Sequence, residues 1–416
     1  MRCVCLFFLL TYLILPVFTV TGQNGTPLSV VRDYVGLTAW HEAGYTAQDV
    51  RVGIIDVGFL DADTLTEALV IPETLSPDQL FRQGSDHGAL VLEVLLALAP
   101  DAKFYLYPLA PGGKNIAHAV DWLLEQQVQV VNYSVMALDI PLNGDNHQAQ
   151  QMVRLADANV VVVAAMGNYH TSYFSDGFRD ADGDGWHEFQ WGYESIWSAP
   201  ILTEQFGQSH LRWQDNYTSA QYDFDLYIFD ASGTNVLEAA TKVQQGGSAD
   251  WAYEDAFYPT VAGVPIYLGV RAKVPGSVPA GTVFYLYADD TVLGLSTDTG
   301  SLTAPADSEK ILGVGAIEAS EVIWSRSGRG PTWDGRIKPD LVAPTRLDLE
   351  QAGTTFLGTS ASTPVVTAVA AVVRGAYPQL SEAEIRHFLW DYAYDLGDPG
   401  QDNVFGYGRV FLPLPQ

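Results

Sequence analysis

The chain has 416 residues, of which 48% are hydrophobic, and carries a formal net charge of −28 with only 21 lysines and arginines. This length and apolar content support a large core, arranged as one large α/β domain plus a smaller unit. The acidic balance argues against nucleic acid as a partner, because phosphate contacts require clustered lysine and arginine. Most of the negative charge is interpreted as a solvating surface.

The first segment, residues 1–22, is predicted to be a signal peptide. One basic residue, Arg2, precedes the uncharged run Val4–Val20, and the small Gly22 suits the position before cleavage. The alternative is an uncleaved membrane anchor, since a run of about 17 residues is near the lower limit for spanning a bilayer. Export is favoured, so we expect a secreted protein that associates with a membrane only if this segment is uncleaved. Both cysteines lie in this segment, so the exported chain is predicted to contain no disulfide.

Two stretches further along carry candidate catalytic residues. The run Val52–Phe59, VGIIDVGF, predicts a buried strand that ends near Asp56, and an acid there opens onto the crevice of an α/β sheet. His87 precedes a helix-length apolar run, so its imidazole is expected at a helix start. These stretches therefore predict an acid and a proton carrier at one edge of the sheet.

Strands and helices alternate in the next part of the chain. The strands are predicted at Phe104–Leu109, Val128–Ser134 and Val160–Ala165, and the helices at Ile116–Gln126 and Gln148–Asp157. This order predicts a doubly wound, mostly parallel sheet with helices on both faces. Asn168 follows the last of these strands, where its side-chain amide is able to donate to an oxyanion.

An acidic turn, FRDADGDGWHEF, contains a candidate metal site. Asp180, Asp182 and Asp184 with the following glycine reproduce the first half of an oxygen-ligand calcium loop, and Glu188 is a fourth candidate ligand. The twelfth loop position, a bidentate Glu in an EF-hand, is Trp191, so a full EF-hand is excluded. The two interpretations are a structural Ca²⁺ site and a solvated acidic turn.

The stretch Gly192–Asp290 is rich in aromatic residues and alternates between apolar and polar positions. Examples are YDFDLYIFD at Tyr222–Asp230 and VPIYLGV at Val264–Val270. Because turn residues separate such runs, they predict a small antiparallel β-sandwich. The predicted divisions are the signal peptide at 1–22, a catalytic domain at 23–168 and 303–416, and an inserted sandwich at 169–302.

Ser360 lies in GTSASTP at Gly358–Pro364, directly before the apolar run Val365–Val373. A serine in this place is predicted at a helix N-terminus, where free N–H groups and the helix dipole favour a developing negative charge. Pro364 is expected in the first helical turn, where its missing N–H costs no hydrogen bond. Taken alone, the motif more often describes an ordinary cap before a buried helix, and the other motifs decide for a nucleophile.

Asp56, His87 and Ser360 in this order, with Asn168 before the serine, resemble the subtilisin-like serine peptidases, or subtilases. The resemblance extends from about Val31 to Asn168 and resumes near Thr303. It implies a secreted endopeptidase that acts on a peptide or protein through an acyl-enzyme and requires no cofactor for its chemistry.

The resemblance also implies a role for each residue. Ser360 attacks the carbonyl, His87 accepts and returns the proton, and Asp56 orients His87. Asn168 and the Ser360 N–H stabilise the oxyanion. The residues implied to contact the substrate are Ser134, Val135, Met136 and Gly167.

The sequence departs from the family pattern in several places. Val135, Met136 and Ala137 stand where two glycines are usual, so subsite preference does not transfer. Ala89 and Leu90 replace the usual Thr and second His after the candidate base. The short lead-in leaves no room for a folded inhibitory propeptide, and the β-rich insertion resembles a pre-peptidase C-terminal-type sandwich.

Two alternatives remain open. A sedolisin-type acid peptidase also uses a GTSAS serine, but His87 and Asn168 favour the subtilase form. The alternative from another class is a catalytically silent binding or adhesion protein that uses the β insertion.

Overall fold

The structure is a computed structural model that describes residues 25–199, 206–248, 250–289 and 291–415. The predicted signal peptide, residues 1–22, lies outside these ranges. A search of the described residues for membrane spans finds no helix with the length and apolar character to cross a bilayer.

The helices and strands fall into three parts along the chain. The first part contains β1 (Thr26–Pro27), α1 (Leu28–Tyr34), α2 (Leu37–Glu42), β2 (Arg51–Asp56), β3 (Leu69–Val70), α3 (Pro77–Phe81), α4 (His87–Leu98), β4 (Lys103–Pro108), α5 (Ile116–Glu125), β5 (Val130–Tyr133), α6 (His147–Asp157) and β6 (Val161–Ala165). The β7–β14 segment follows, with β7 (Tyr173–Gly177), β8 (Ile196–Trp197), β9 (Phe206–Trp213), β10 (Phe224–Phe229), β11 (Val236–Ala240), β12 (Tyr253–Pro259), β13 (Tyr267–Ala272) and β14 (Val283–Ala288). The last part contains β15 (Leu312–Ile317), β16 (Leu341–Pro344), β17 (Leu347–Leu349), β18 (Thr354–Phe356), α7 (Thr359–Ala376) and α8 (Glu382–Asp391).

A parallel sheet of seven strands lies at the centre of the molecule, in the order β16-β15-β6-β5-β2-β4-β3. All of its neighbouring strands pair in parallel. Its central strands are apolar and buried along their length, because helices cover both faces. The predicted α/β fold with a parallel sheet is confirmed.

The two faces of the sheet carry different helices. Successive side chains of a strand point to opposite faces, so Ile54 joins the core beneath α4 and α7 while Ile55 joins the core beneath α5 and α6. The predicted helices at Ile116–Gln126 and Gln148–Asp157 are confirmed to within one residue. The capping box that Ser381 and Glu384 form at the start of α8 fixes the beginning of that helix.

The β7–β14 segment forms two antiparallel sheets, in the orders β11-β10-β13-β8 and β12-β9-β14-β7. Both sheets direct alternate side chains into one hydrophobic cluster, in which Phe224 of β10 contacts Trp213 of β9 and Phe284 of β14. The alternation at Tyr222–Asp230 and Val264–Val270 therefore predicted antiparallel strands correctly.

Candidate active site

Asp56 and His87 lie in direct contact at the carboxyl end of β2. Asp56 ends this strand with no exposed surface, and its Oδ1 accepts hydrogen bonds from His87 Nδ1 at 2.7 Å and from the Val57 N–H at 2.7 Å. His87 is the first residue of α4, as predicted. The helix start is held against the loop after β2 because the Gly88 N–H donates to the Gly58 carbonyl at 2.8 Å. A Cβ on Gly88 would lie 2.5 Å from that carbonyl oxygen, so this approach requires glycine.

The titration of His87 is set by opposing effects. Burial lowers its pKa, but the negative charge of Asp56, the hydrogen bond to it, and the charge of Asp86 together raise the pKa above its ordinary value of 6.5. Because Nδ1 donates to Asp56, the neutral imidazole carries its lone pair on Nε2. The ring packs edge-on against Phe356, with centroids 5.4 Å apart. His87 is thus oriented to accept a proton through Nε2.

Ser360 is the second residue of α7, and Phe356, which contacts His87, lies four residues before it. Its Oγ donates to the carbonyl of Ser134 at 2.9 Å. Within the described residues, Ser360 and His87 form no hydrogen bond with each other. The structure therefore brings the acid and the imidazole into contact, while the serine hydroxyl is bonded to the end of β5. Proton transfer to His87 requires the hydroxyl to leave this carbonyl.

The expectation that Pro364 lies in the first turn of its helix is wrong. The helix begins at Thr359, ahead of the apolar run, and Pro364 lies inside it. A proline there cannot donate to the carbonyl four residues earlier, which is that of Ser360. Ser134 Oγ donates to this carbonyl instead, at 3.1 Å. Because Pro364 cannot donate to it, the Ser360 carbonyl is thus bonded to the residue at the end of β5.

Two buried residues that the sequence analysis missed support this tie. Asn132 Nδ2 donates to Ser134 Oγ at 3.0 Å, and Asn132 Oδ1 accepts from Thr367 Oγ1 at 3.0 Å. Asn132 and Thr367 are completely buried. The network joins α7 to β5 at two points. A sequence signal for it exists, because Pro364, four residues after Ser360, leaves the Ser360 carbonyl without its helical donor.

The side chain of Asn168 is fixed beside the start of α7. Its Oδ1 accepts from the Thr359 N–H at 3.0 Å and from Thr359 Oγ1 at 2.9 Å. The amide NH₂ is therefore the end that remains for a substrate oxygen. Gly358 adopts φ +101°, and a Cβ on it would lie 3.0 Å from Asn168 Nδ2, so glycine is required for two reasons. Gly167 joins the same network through its N–H, which donates to Thr359 Oγ1 at 3.2 Å.

The three candidate substrate residues at the end of β5 lie at a cavity or next to one. Val135 and Met136 line a cavity of about 500 Å³ that also includes Val57, the neighbour of Asp56. Ser134 is buried directly before them and faces Ser360. Ala137 forms an isolated antiparallel bridge with Ala304.

Three of the four predicted metal ligands lie together. Asp180, Asp182 and Asp184 each place a carboxylate oxygen within 4.8 Å of the others. Glu188 is not in this group, and both of its oxygens accept from the Ala181 N–H, at 2.9 and 2.8 Å.

Glu194, which the sequence analysis missed, lines a cavity of about 910 Å³ together with Asp176, Asp180, Asp182 and Glu188. Partial burial raises the pKa of Glu194, and the negative charges of Asp184, Asp182 and Glu188 raise it further. Glu194 lies three residues beyond the twelfth loop position, where the calcium-loop pattern gave no reason to look.

An aspartate–histidine pair at the carboxyl edge of a parallel sheet, beside a serine at a helix start, is the arrangement of the subtilisin-like serine peptidases. Residues 295–408 match the model of the Subtilase family. The part of the chain that carries Ser360 is therefore similar to this family.

The curated relatives match over part of their length. Serine protease AprX of Bacillus subtilis (strain 168) is 28% identical over 138 residues, which cover 27% of this chain and 31% of the relative. The halolysin-like extracellular serine protease Nep of Natrialba magadii is 33% identical over 119 residues, covering 28% of this chain and 20% of the relative. The chain thus spans less than a third of the length of either protein.

The CspB protease of Clostridium perfringens has the same fold. The two structures superpose with a TM-score of 0.64 at 17% sequence identity, over 92% of this chain and 95% of that one.

Proposed function

We propose that the chain is a serine endopeptidase that hydrolyses peptide bonds through an acyl-enzyme. The observation that carries this proposal is the 2.7 Å hydrogen bond between Asp56 and His87 Nδ1, which leaves Nε2 as the base near the nucleophilic helix. The family match includes the serine motif and supports the same activity.

In the proposed first step, Ser360 Oγ attacks the peptide carbonyl carbon and passes its proton to His87 Nε2. Asp56 stabilises the imidazolium, which then gives this proton to the leaving amine as the C–N bond breaks. A water molecule next attacks the acyl-enzyme while His87 takes its proton. Return of that proton to Ser360 Oγ releases the acid product and restores the enzyme.

The oxyanion is proposed to accept hydrogen bonds from Asn168 Nδ2 and the Ser360 N–H. Two bonds from Thr359 hold the oxygen end of the Asn168 amide, which keeps the NH₂ end available. Ser360 lies in the first turn of α7, where backbone N–H groups have no partner within the helix. Donors that are fixed before reaction stabilise the charge without reorganisation.

A fluorophosphonate probe tests this function directly. We expect it to label the protein at Ser360, and we expect labelling to disappear in Ser360→Ala and to fall strongly in His87→Ala. Ser232→Ala, on an exposed turn of the β7–β14 segment, is the matched control. A folded protein that neither reacts with the probe nor cleaves a peptide library would instead be the silent binding protein.

We further propose that Asp180, Asp182 and Asp184 hold a structural Ca²⁺, with Glu194 as an additional ligand from the same cavity. The donors are carboxylate oxygens, which suit a hard cation. The N–H groups of Gly183 and Gly185 donate to Asp180 and hold its carboxylate within the loop. A bound cation would offset the repulsion between these charges.

The remaining proposals concern organisation and export. We propose that residues 169–302 form an inserted β-sandwich of the pre-peptidase C-terminal type, and its two antiparallel sheets with a common core support this. We also propose that the protein is secreted. Two relatives named as extracellular proteases, from Natrialba magadii and Serratia marcescens, support export.

A further inference from the structure

Two walls of the 500 Å³ cavity beside the proposed nucleophile carry the groups that would select a substrate. One wall is the end of β5 and its continuation, from Val135 to Asp139, and the other belongs to the β7–β14 segment. The second wall carries charged side chains from β9 and β12, and from the residue after β14. The segment therefore contributes directly to the cleft in which a substrate would lie.

A buried arginine fixes these walls to each other. Arg212 of β9 donates through Nε to the carbonyl of Leu138 at 2.9 Å, just beyond Val135 and Met136. Its NH1 donates to the carbonyl of Leu211 at 3.0 Å and to Asp255 Oδ1 at 2.7 Å. The side chain of Arg212 is only 8% exposed, and its positive charge is paired with Asp255 inside the wall.

Three carboxylates face this cavity, and their charge exceeds that of the cations. Asp255 is neutralised by Arg212. Asp289 Oδ1 accepts from Tyr169 OH at 2.6 Å, and Asp139 Oδ1 accepts from Tyr217 OH at 3.4 Å. Neither of these bonds brings a positive charge, so two negative charges face the remaining cation of the cavity, His210.

His210 balances at most one of these charges. Its Nδ1 lies 2.8 Å from Asp255 Oδ1, and its Nε2 lies 3.6 Å from Asp289 Oδ1. Asp255 and Asp289 each keep about a quarter of their side chain exposed, 28% and 27%, and their Oδ2 atoms have no protein hydrogen bond within the described residues. The cavity thus contains more carboxyl groups than cations even when His210 is protonated, although burial raises the pKa of Asp139. Asp255 and Asp289 present carboxylate oxygens that are open to a ligand.

We propose that this cavity is a substrate subsite on the non-primed side that takes a lysine or arginine side chain. Asp139, Asp255 and Asp289 determine the specificity. The apolar side chains of Val135 and Met136 contact the aliphatic part of the substrate residue, and the carboxylates bind its cationic end. This inference rests on the proposed peptidase function, and it gives the β7–β14 segment a role in choosing the substrate.

The test compares lysine with norleucine, which has nearly the same shape without the charge. Peptides that carry one or the other at each non-primed position are digested, and kcat/KM is measured. We expect kcat/KM for the lysine peptide to exceed that for the norleucine peptide by about tenfold or more at one position. This is the size expected for a hydrogen bond to a charged group in a partly enclosed pocket. A library in which no non-primed position distinguishes lysine from norleucine would overturn the proposal.

Asp289→Asn and Asp139→Asn are the informative variants. The asparagine oxygen still accepts from Tyr169 or Tyr217, so the fold is kept while one negative charge is removed. Asp255→Asn is avoided because it leaves Arg212 buried without its partner. The lysine-to-norleucine ratio is expected to fall several-fold in each variant and to stay unchanged in Glu238→Gln, an acid of β11 outside the cavity. An unchanged ratio in both aspartate variants would also overturn the proposal.

Binding to the Ser360→Ala variant separates this inference from the proposed function. Fluorescence anisotropy with the same labelled peptides reports the subsite without turnover. Tighter binding of the lysine peptide together with an inactive parent protein would reject the peptidase function alone. Equal affinity for both peptides would reject the subsite.

Discussion

His87 contacts Asp56 through Nδ1, and this contact governs how the imidazole titrates. The raised pKa of His87 favours the protonated ring, which cannot act as a base. Activity is therefore expected to fall as the pH drops through a value above 6.5. For stability the sign is opposite: the His87–Asp56 ion pair stabilises the fold fully below the unfolded pKa of about 6.5, and this contribution is lost as pH rises through the raised pKa.

Replacement of the carboxylate tests this relation. In Asp56→Asn the charge that raises the pKa of His87 is removed, so the acid limb of the kcat/KM profile should move to lower pH. The maximal rate should fall by about 10⁴-fold, since the asparagine no longer holds the productive tautomer of His87 and no longer stabilises the imidazolium. A profile whose acid limb does not move would show that another group controls it.

Asn168 is expected to contribute to the rate as a donor to the oxyanion. Asn168→Ala removes the proposed oxyanion donor and should lower kcat by about 10² to 10³-fold with a smaller effect on KM. Asn143→Ala, on a loop outside the site, is the matched control. Steady-state kinetics at the optimal pH measure both, and a wild-type kcat in Asn168→Ala would remove it from this role.

The start of α7 is the element on which the geometry of the site depends. Gly358, with its positive φ, sets the helix start beside Asn168, and Pro364 leaves the Ser360 carbonyl for Ser134. The helix is thereby joined to β5 through hydrogen bonds in both directions, one from each serine hydroxyl to the other's carbonyl.

A double-mutant cycle tests this linkage. Ser134→Ala leaves the partly buried Ser360 carbonyl without a donor and should lower the free energy of unfolding by about 1 to 3 kcal/mol. In a Pro364→Ala background, the new N–H restores the bond to that carbonyl, so Ser134→Ala should cost less. Urea unfolding measures all four proteins. Equal losses in the two backgrounds would show that Ser134 acts by some other contact.

Sequence patterns located Asp56 and His87 correctly because a strand end and a helix start are local features. The same reasoning misplaced Pro364, since the apolar run showed the helix only from Val365 while backbone geometry begins it at Thr359. The hydrogen bonds between Ser134 and Ser360 could not be predicted from the sequence, because the two residues are 226 positions apart. Polar contacts between distant residues leave no periodic pattern in the sequence, so they become apparent only in the folded structure.

The whole molecule combines a net charge of −28 with a cluster of carboxylates in one loop. Ca²⁺ should therefore stabilise it through the cluster of Asp180, Asp182 and Asp184. At a concentration 100 times the Kd, the gain is about 2.7 kcal/mol, which would raise Tm by several degrees. Thermal unfolding with Ca²⁺ and with chelator measures this gain.

The calcium prediction has a matched pair of variants. Asp182→Asn should abolish the increase in Tm, and Glu194→Gln should shift it to higher Ca²⁺ concentration. Glu67→Gln replaces an exposed acid outside this cluster and should leave the increase in Tm unchanged. An increase that survives in Asp182→Asn would show that Ca²⁺ binds elsewhere or only screens charge.

The position of β15 beside β6 has a consequence for biosynthesis. The β7–β14 segment separates these two neighbours in the chain, although the Thr303 N–H bonds to the Met166 carbonyl at 3.0 Å. A ribosome must therefore translate that entire segment before β15 can dock, and α7 emerges later still. The proposed nucleophile, Ser360, is thus translated after the whole β7–β14 segment, so the proposed active site cannot be complete until that segment and the start of α7 have both been made.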